Sequence, residues 1–262
     1  MTEAPRTAAV LQPGMILVAD VDGTLRGPGE DLGEGVAAML RRIVECGGMF
    51  VPASGKSVEH LAALFSRHKV ECRVICGENG ADIIHRLDGS SWKDITVSHP
   101  DERARIRTHV IACTACNSWE YEEPKESIVT VHFGTAARAR EKATIWRQHL
   151  TQILGHGEVA VYVHDDGAVD AVPHPSRVSK ATVIALLRGR FPGVPIVVAG
   201  DGENDLPMMQ ARGVFTVVCP ENAHPKVVEA AVLRDGRRFD GRYGVGVVAG
   251  IRWACAQYHL MV

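Results

Sequence analysis

The sequence lacks any apolar run near the ~20 residues needed to cross a bilayer. It lacks a surplus of either charge: 29 Lys+Arg stand against 31 Asp+Glu, for a net −2. That balance excludes a strongly basic nucleic-acid arm. With 46% hydrophobic and 23% charged residues, disorder and collagen-like repeats are excluded as well. No disulfide framework is visible, because the seven cysteines are odd in number and irregularly spaced. Cys113 and Cys116 form a single CxxC, read as inert thiols. Zinc is disfavoured by the absence of a Cys/His cluster with ligand spacing. A dinucleotide site is disfavoured by the absence of GxGxxG. The opening MTEAPRTAAVLQPG holds no apolar segment long enough for a signal peptide. The expectation is a protein of the reducing cytoplasm, with neither nucleic acid nor membrane as partner.

What is present is a strand–helix alternation. Met15–Ala19 (MILVA), Met49–Ala53 (MFVPA) and Arg73–Cys76 (RVIC) are short apolar runs, as expected of parallel strands buried on both faces. Between them, Val36, Met39, Leu40, Ile43 and Val44, then Val58, Leu61, Ala62 and Phe65, fall at helical spacing. From about Ala81 the pattern changes. A hairpin is expected around Asp88-Gly89, and a helix over 101–112. A half-buried strand is expected over Ser127–Phe133. A long helix over 135–154 carries the stripe Ala139, Ala143, Trp146, Leu150 and Ile153, and two strands meet near Asp166-Gly167. Alternation then resumes, with Ser179 as the expected N-cap of a helix and apolar strands at Pro195–Ala199 and Val214–Cys219. This predicts an α/β protein with a Rossmann-like parallel core, residues 1–83 and 174–262, whose first 14 residues form a loose leader. An α+β unit over 84–173 is inserted into it.

Four polar clusters sit where ligands bind in such a sheet, beyond strand carboxyl ends or ahead of a helix. They are Asp20-Val21-Asp22-Gly23-Thr24, Ser54-Gly55, Lys180, and Gly200-Asp201-Gly202-Glu203-Asn204-Asp205. Asp20 and Asp22 start from the same side of an extended chain, and their mutual repulsion would be relieved by a cation. Asp201 and Asp205 add hard oxygen ligands of the kind Mg²⁺ prefers. Ser54, the N–H groups beside Gly55, and Lys180 supply what a phosphate needs. Turns and caps also use such residues; order and context favour the functional reading.

DVDGTL, the Ser-Gly after the second strand, the lone Lys opening a helix, and GDGEND resemble the four motifs of the haloacid-dehalogenase (HAD) superfamily of phosphohydrolases. GENGA after the third strand, with the long α+β insert, resembles the subgroup with a type IIB cap, which contains the Cof-type, sucrose-phosphate and trehalose-phosphate phosphatases. The resemblance implies a Mg²⁺-dependent phosphatase of a small phosphorylated sugar or related metabolite. Asp20 would be the nucleophile that forms an aspartyl-phosphate, and Asp22 the general acid and base. Mg²⁺ would sit among Asp20, the Asp22 carbonyl, Asp201 and Asp205. Ser54, Gly55, Lys180 and Asn204 would bind the phosphoryl group. Lys56 stands where related sequences often carry Arg. In the insert, Glu123 and Lys125 resemble the Glu-x-Lys segment by which trehalose-phosphate phosphatases contact their sugar. The resemblance leaves two other activities open: a phosphomutase, and an inactive sugar-phosphate-binding protein.

Overall fold

The computed structural model describes residues 12–87, 92–94, 100–114, 121–123, 125–155, 157–164, 166–175 and 177–260; for 92–94, 100, 113–114 and 121–123 it describes the backbone. β1 (Ile16–Ala19) has no exposed residue, as a strand covered by helices on both faces must be. It is followed by α1 (Glu34–Glu45), β2 (Met49–Pro52), α2 (Val58–Arg67) and β3 (Val74–Gly77). α1 buries Val36, Ala37, Leu40 and Ile43, one stripe of the 3.6-residue period. The Ser57 hydroxyl caps α2 by accepting from the His60 N–H at 3.3 Å.

β4 (Asp82–His85) and β5 (Trp92–Asp94) are antiparallel, and β4 also pairs with β3. The expected boundary at 83/84 therefore falls inside a strand bonded to β3. The turn at Asp88-Gly89 lies outside the described residues. α3 (Pro100–Thr114), β6 (Tyr121–Glu123), β7 (Val129–His132), α4 (Ala136–Leu154), β8 (Val159–Val163) and β9 (Ala168–Pro173) follow. Their antiparallel sheet runs β6-β7-β9-β8, and Trp146 is fully buried against it together with Ala139, Ala143 and Leu150. Ile153 does not join this stripe but is 51% exposed in the last turn of α4, where Leu154 packs against the cluster instead.

The chain returns through α5 (Ala181–Arg190), β10 (Ile196–Ala199), α6 (Leu206–Gln210), β11 (Thr216–Cys219), α7 (Pro225–Val232), β12 (Arg237–Arg238) and α8 (Gly244–Tyr258). Ser179 does not cap α5. Lys180 is the residue preceding the helix, with no side-chain cap bond, and the Thr182 N–H donates to the Ser179 carbonyl instead. The parallel sheet runs β12-β11-β10-β1-β2, and β3 joins it through the bridge Ala53–Cys76. Strand order reverses at β1. β2 lies on one side and β10 on the other, so a crevice opens between β1 and β10 at their carboxyl ends.

Two glycines set close approaches. Gly23 (φ 89°) lets the chain turn from β1 where a Cβ would lie 2.5 Å from Asp201 Oδ2. Gly80 (φ 95°) packs directly on the peptide of Ser179, and a Cβ there would overlap the Ser179 carbonyl oxygen. Gly80→Ala adds left-handed strain to that overlap. It should lower unfolding free energy by at least ~2 kcal/mol in urea titrations. A change below ~0.5 kcal/mol would mean the contact is loose.

Candidate active site

Ala19 is paired with Ala199 on one side and Pro52 on the other. The next residues of all three strands therefore leave the sheet at one edge: Asp20, Ala53-Ser54 and Gly200-Asp201. Asp20 is 5% exposed, and its N–H donates to the Ala199 carbonyl at 3.0 Å. Lys180 reaches this point from the chain 160 residues away and is fully buried. Its Nζ donates to Asp20 Oδ1 at 2.5 Å and to Asp205 Oδ1 at 2.7 Å. The other oxygen of Asp205 accepts from the N–H groups of Asp201 and Gly202, both at 2.9 Å. One carboxylate thus ties the lysine to the loop that carries Asp201. Thr24 Oγ1 lies 2.6 Å from Asp201 Oδ1 and 3.2 Å from Asp20 Oδ2, and Asn222 Nδ2 donates to Asp201 Oδ2 at 3.3 Å.

Burial pushes the Asp20 carboxyl up to about 7, with the charges of Asp205 and Asp22 adding to it and Lys180 opposing it. Burial, then Asp20 and Asp205, push Asp201 well above the usual carboxylate range. Burial alone would push Lys180 down, but Asp20 and Asp205 outweigh it and hold the ammonium charged. Asp20, Asp201 and Asp205 offer oxygens that all lie within 4.8 Å of one another. With all three ionised, two negative charges remain beyond what Lys180 neutralises. A hard divalent cation fits both this oxygen donor set and this charge.

Above these groups lies a cavity of about 420 Å³ between the parallel core and the antiparallel unit, within the usual range for small-molecule sites. Asp22, Ser54, Gly55 and Asn204 line its core side. Lys125, Thr130, Tyr162, His164 and Asp170 line the opposite wall. Asp170, 1% exposed in the middle of β9, is the hub of that wall. Its Oδ1 accepts from Thr130 Oγ1 at 2.5 Å and lies 3.7 Å from Lys125 Nζ; its Oδ2 lies 2.9 Å from His164 Nε2. Lys125 Nζ donates to Thr130 at 2.6 Å. Burial would raise Asp170, but Lys125 and His164 outweigh it and hold the carboxyl well below the usual range.

The structure brings Asp20, Lys180, Asp201 and Asp205 into one cluster, and places Asp22, Ser54, Gly55 and Asn204 on the cavity above it. The Asp22 carboxylate is outside the cluster, paired with Arg26 at 2.8 Å. Lys180 lies beneath the cavity rather than on its wall. Lys125 reaches the far wall, whereas the side chain of Glu123 lies outside what the structure describes. So do the side chain of Cys113 and all of Cys116. Sequence reasoning included Thr24 in the first polar cluster without giving it a role, and missed Asn222 and Asp170. Asn222 follows the end of β11 and was findable by the strand-end rule. A lone Asp inside the apolar run AVDAV was the signal for Asp170.

The fold is shared with HAD-superfamily phosphatases. A Thermoplasma acidophilum protein superposes with a TM-score of 0.71 at 17% identity, covering 94% of this chain and 99% of that one. The sucrose-phosphatase of Synechocystis, solved with sucrose and phosphate, gives 0.64 at 16% identity, covering 95% and 100%. A HAD-superfamily phosphatase of Bacteroides thetaiotaomicron gives 0.64 at 18%, covering 97% and 100%. No curated protein matches the sequence. The fold is that of the HAD superfamily with a type IIB cap, and the family that the sequence matches is one of phosphoric monoester hydrolases. A sequence model of the sucrose-6F-phosphate phosphohydrolase family matches residues 13–253, and the chain belongs to that family.

Two predictions follow from the charges. Lys180→Met leaves Asp20 and Asp205 buried without their cation. It should cost about 3–5 kcal/mol in urea titrations; a cost below ~1 kcal/mol would show that the pair is independently neutralised. The second concerns His164. Burial pushes its imidazole down, but the charge and hydrogen bond of Asp170, then Asp166, outweigh burial, Lys125 opposing, and its pKa rises above 6.5. The stabilisation is fully present below pH ~6.5 and fades as pH climbs through the raised value. Melting temperatures of the native protein and His164→Gln, measured from pH 5 to 9, should therefore converge with rising pH; a constant gap would contradict the pairing.

Proposed function

We propose that this protein is a Mg²⁺-dependent phosphatase that hydrolyses the phosphate monoester of a small phosphorylated sugar or related metabolite through an aspartyl-phosphate on Asp20. The observation that carries this reading is the buried Asp20–Lys180–Asp205 cluster with Asp201, set under a cavity whose far wall is lined with polar groups. Lys180 engages Asp20 Oδ1, which leaves Oδ2, beside Thr24, to attack phosphorus. When bound, Mg²⁺ supplies charge neutralisation for the anionic phosphoryl group and the acidic centre. Asp20, Asp201 and the Asp22 carbonyl would hold it. Asp205, whose oxygens already accept three hydrogen bonds, orients Lys180 and the Asp201 loop. Ser54, the N–H groups at Gly55, and Asn204 receive the phosphoryl oxygens. Asp22, oriented by Arg26, protonates the leaving oxygen and then takes a proton from the hydrolytic water.

In this reading chemistry resides in the parallel core and specificity in the unit inserted into it after β3. Lys125, Thr130 and His164 would meet sugar hydroxyls there, with Glu123 nearby in the chain. The family membership and the sugar bound by the Synechocystis sucrose-phosphatase support a sugar phosphate as substrate. The five described cysteines, all free, support a reducing cytoplasm as its location.

Phosphate release from a panel of sugar phosphates, sucrose 6-phosphate included, tests the reading. Steady release of inorganic phosphate separates hydrolysis from a mutase. Asp20→Asn should reduce release at least ~10³-fold with unchanged circular dichroism, and EDTA should silence the enzyme until Mg²⁺ is restored. Turnover retained in Asp20→Asn would remove the nucleophile, and turnover retained in EDTA would remove the metal.

A further inference from the structure

The turn after β3 places two consecutive residues in the left-handed region, Glu78 (φ 47°) and Asn79 (φ 56°). Asparagine enters it readily, whereas glutamate rarely does. Both side chains are buried, and both reach from the core into the cap. Glu78 Oε1 accepts from the N–H of Glu126 at 2.9 Å; its Oε2 accepts from Ser127 at 2.7 Å and Ile128 at 3.2 Å. These three amides directly follow Lys125, on the cavity's far wall. The Asn79 amide nitrogen donates to Asp170 Oδ2 at 2.9 Å, and its oxygen accepts from Asn204 Nδ2 at 3.3 Å. Asp170 holds Thr130 and His164, and Thr130 accepts from Lys125. Asn204 stands in the loop of Asp201 and Asp205. One amide therefore joins the hub of the cap wall to the acidic loop of the core.

We propose that Asn79 is a positioning residue that couples occupancy of the phosphoryl site to the setting of the cap wall, while Glu78 fixes the 126–128 segment that carries the coupling to Lys125. The proposal rests on the phosphatase reading only for the identity of its core ligand. The coupling follows from chemistry that an amide alone supplies here. Asn79 both donates to a carboxylate and accepts from a second amide. A shift of Asn204 towards a bound phosphoryl oxygen moves the N–H that donates to the Asn79 oxygen, and with it the Asn79 N–H that donates to Asp170. Neither aspartate nor glycine at position 79 can transmit that shift.

Amide hydrogen exchange tests the coupling with inorganic phosphate and Mg²⁺ as the probe. In the native protein these ligands should slow exchange at Glu126, Ser127 and Ile128 about tenfold, within the usual range of coupling between sites. Asn79→Gly keeps the backbone conformation without strain and deletes the amide. There the slowing should fall below about twofold. The inhibition constant of phosphate against p-nitrophenyl phosphate hydrolysis should stay within about threefold of the native value, because Asn79 does not line the cavity itself, Ser54 and Gly55 remain in place, and Asn204 loses only one acceptor. If Asn79→Gly melts early, Asn79→Asp, which also tolerates the left-handed region, accepts from Asn204 but cannot donate to Asp170, and should lose the slowing likewise. Undiminished slowing in both variants, or none in the native protein, overturns the proposal. Failure of the native protein to hydrolyse any phosphate ester would instead overturn the phosphatase reading, and the exchange comparison would still decide the coupling.

Discussion

A lysine ammonium with no exposed surface is held by Asp20 on one side and Asp205 on the other. Burying such an ion costs several kcal/mol. A single ion pair at ~4 Å recovers about 4 kcal/mol at an effective dielectric of ~20. Each carboxylate brings a desolvation cost of its own, so the cluster depends on both partners and their hydrogen bonds being in place. The arrangement therefore holds only when the end of β1, the turn before α5 and the loop after β10 are all in place. The rest of the centre hangs on it: Asp205 ties Lys180 with one oxygen and cradles the Asp201 loop with the other, and Asp20, its Oδ1 engaged by Lys180 and its Oδ2 beside Thr24, lines the cavity.

The cap repeats this logic with the signs reversed. There a single buried carboxylate, Asp170, is surrounded by Lys125, His164, Thr130 and Asn79. The two centres face each other across one cavity. The lower one, with its carboxylates ionised, has an excess of negative charge that a bound cation would offset. The upper one presents donors. The sugar phosphate proposed above would place its anionic end at the lower centre and its hydroxyls at the upper one.

Much of the core was legible because parallel strands buried on both faces are uninterrupted apolar runs, and a run that stops at Asp or Ser marks a strand end. β1, β2 and β10 were read this way within a residue. β6 and β12, three and two residues long, are set by pairing with β7 and β11 and leave no periodic trace. α8 carries Gly244, Gly246 and Gly250 on its buried face, residues that read as turn rather than helix until one sees that Val36, Pro220 and Val218 pack where side chains would be. Ser179 looked like a cap because Ser-Lys opens an apolar helix, but its carbonyl lies against Gly80, and tertiary contact overrode the local preference. GENGA marked Glu78 as part of a motif, but its role was not legible for a related reason: its three partners are backbone amides about fifty residues away, and no side-chain pattern records them.

The contact between Gly80 and Ser179 has a consequence for ancestry. Nearly a hundred residues separate the two glycine and serine positions along the chain, yet the strand that leads out of the core and the segment that leads back touch peptide to peptide. An insertion whose ends coincide adds little strain to its host and little loop-closure cost. The intervening stretch is thus a cassette that can be lengthened, shortened or replaced while the buried lysine keeps its place, so in the proposed division of labour new substrates would be acquired by rewriting the cap alone.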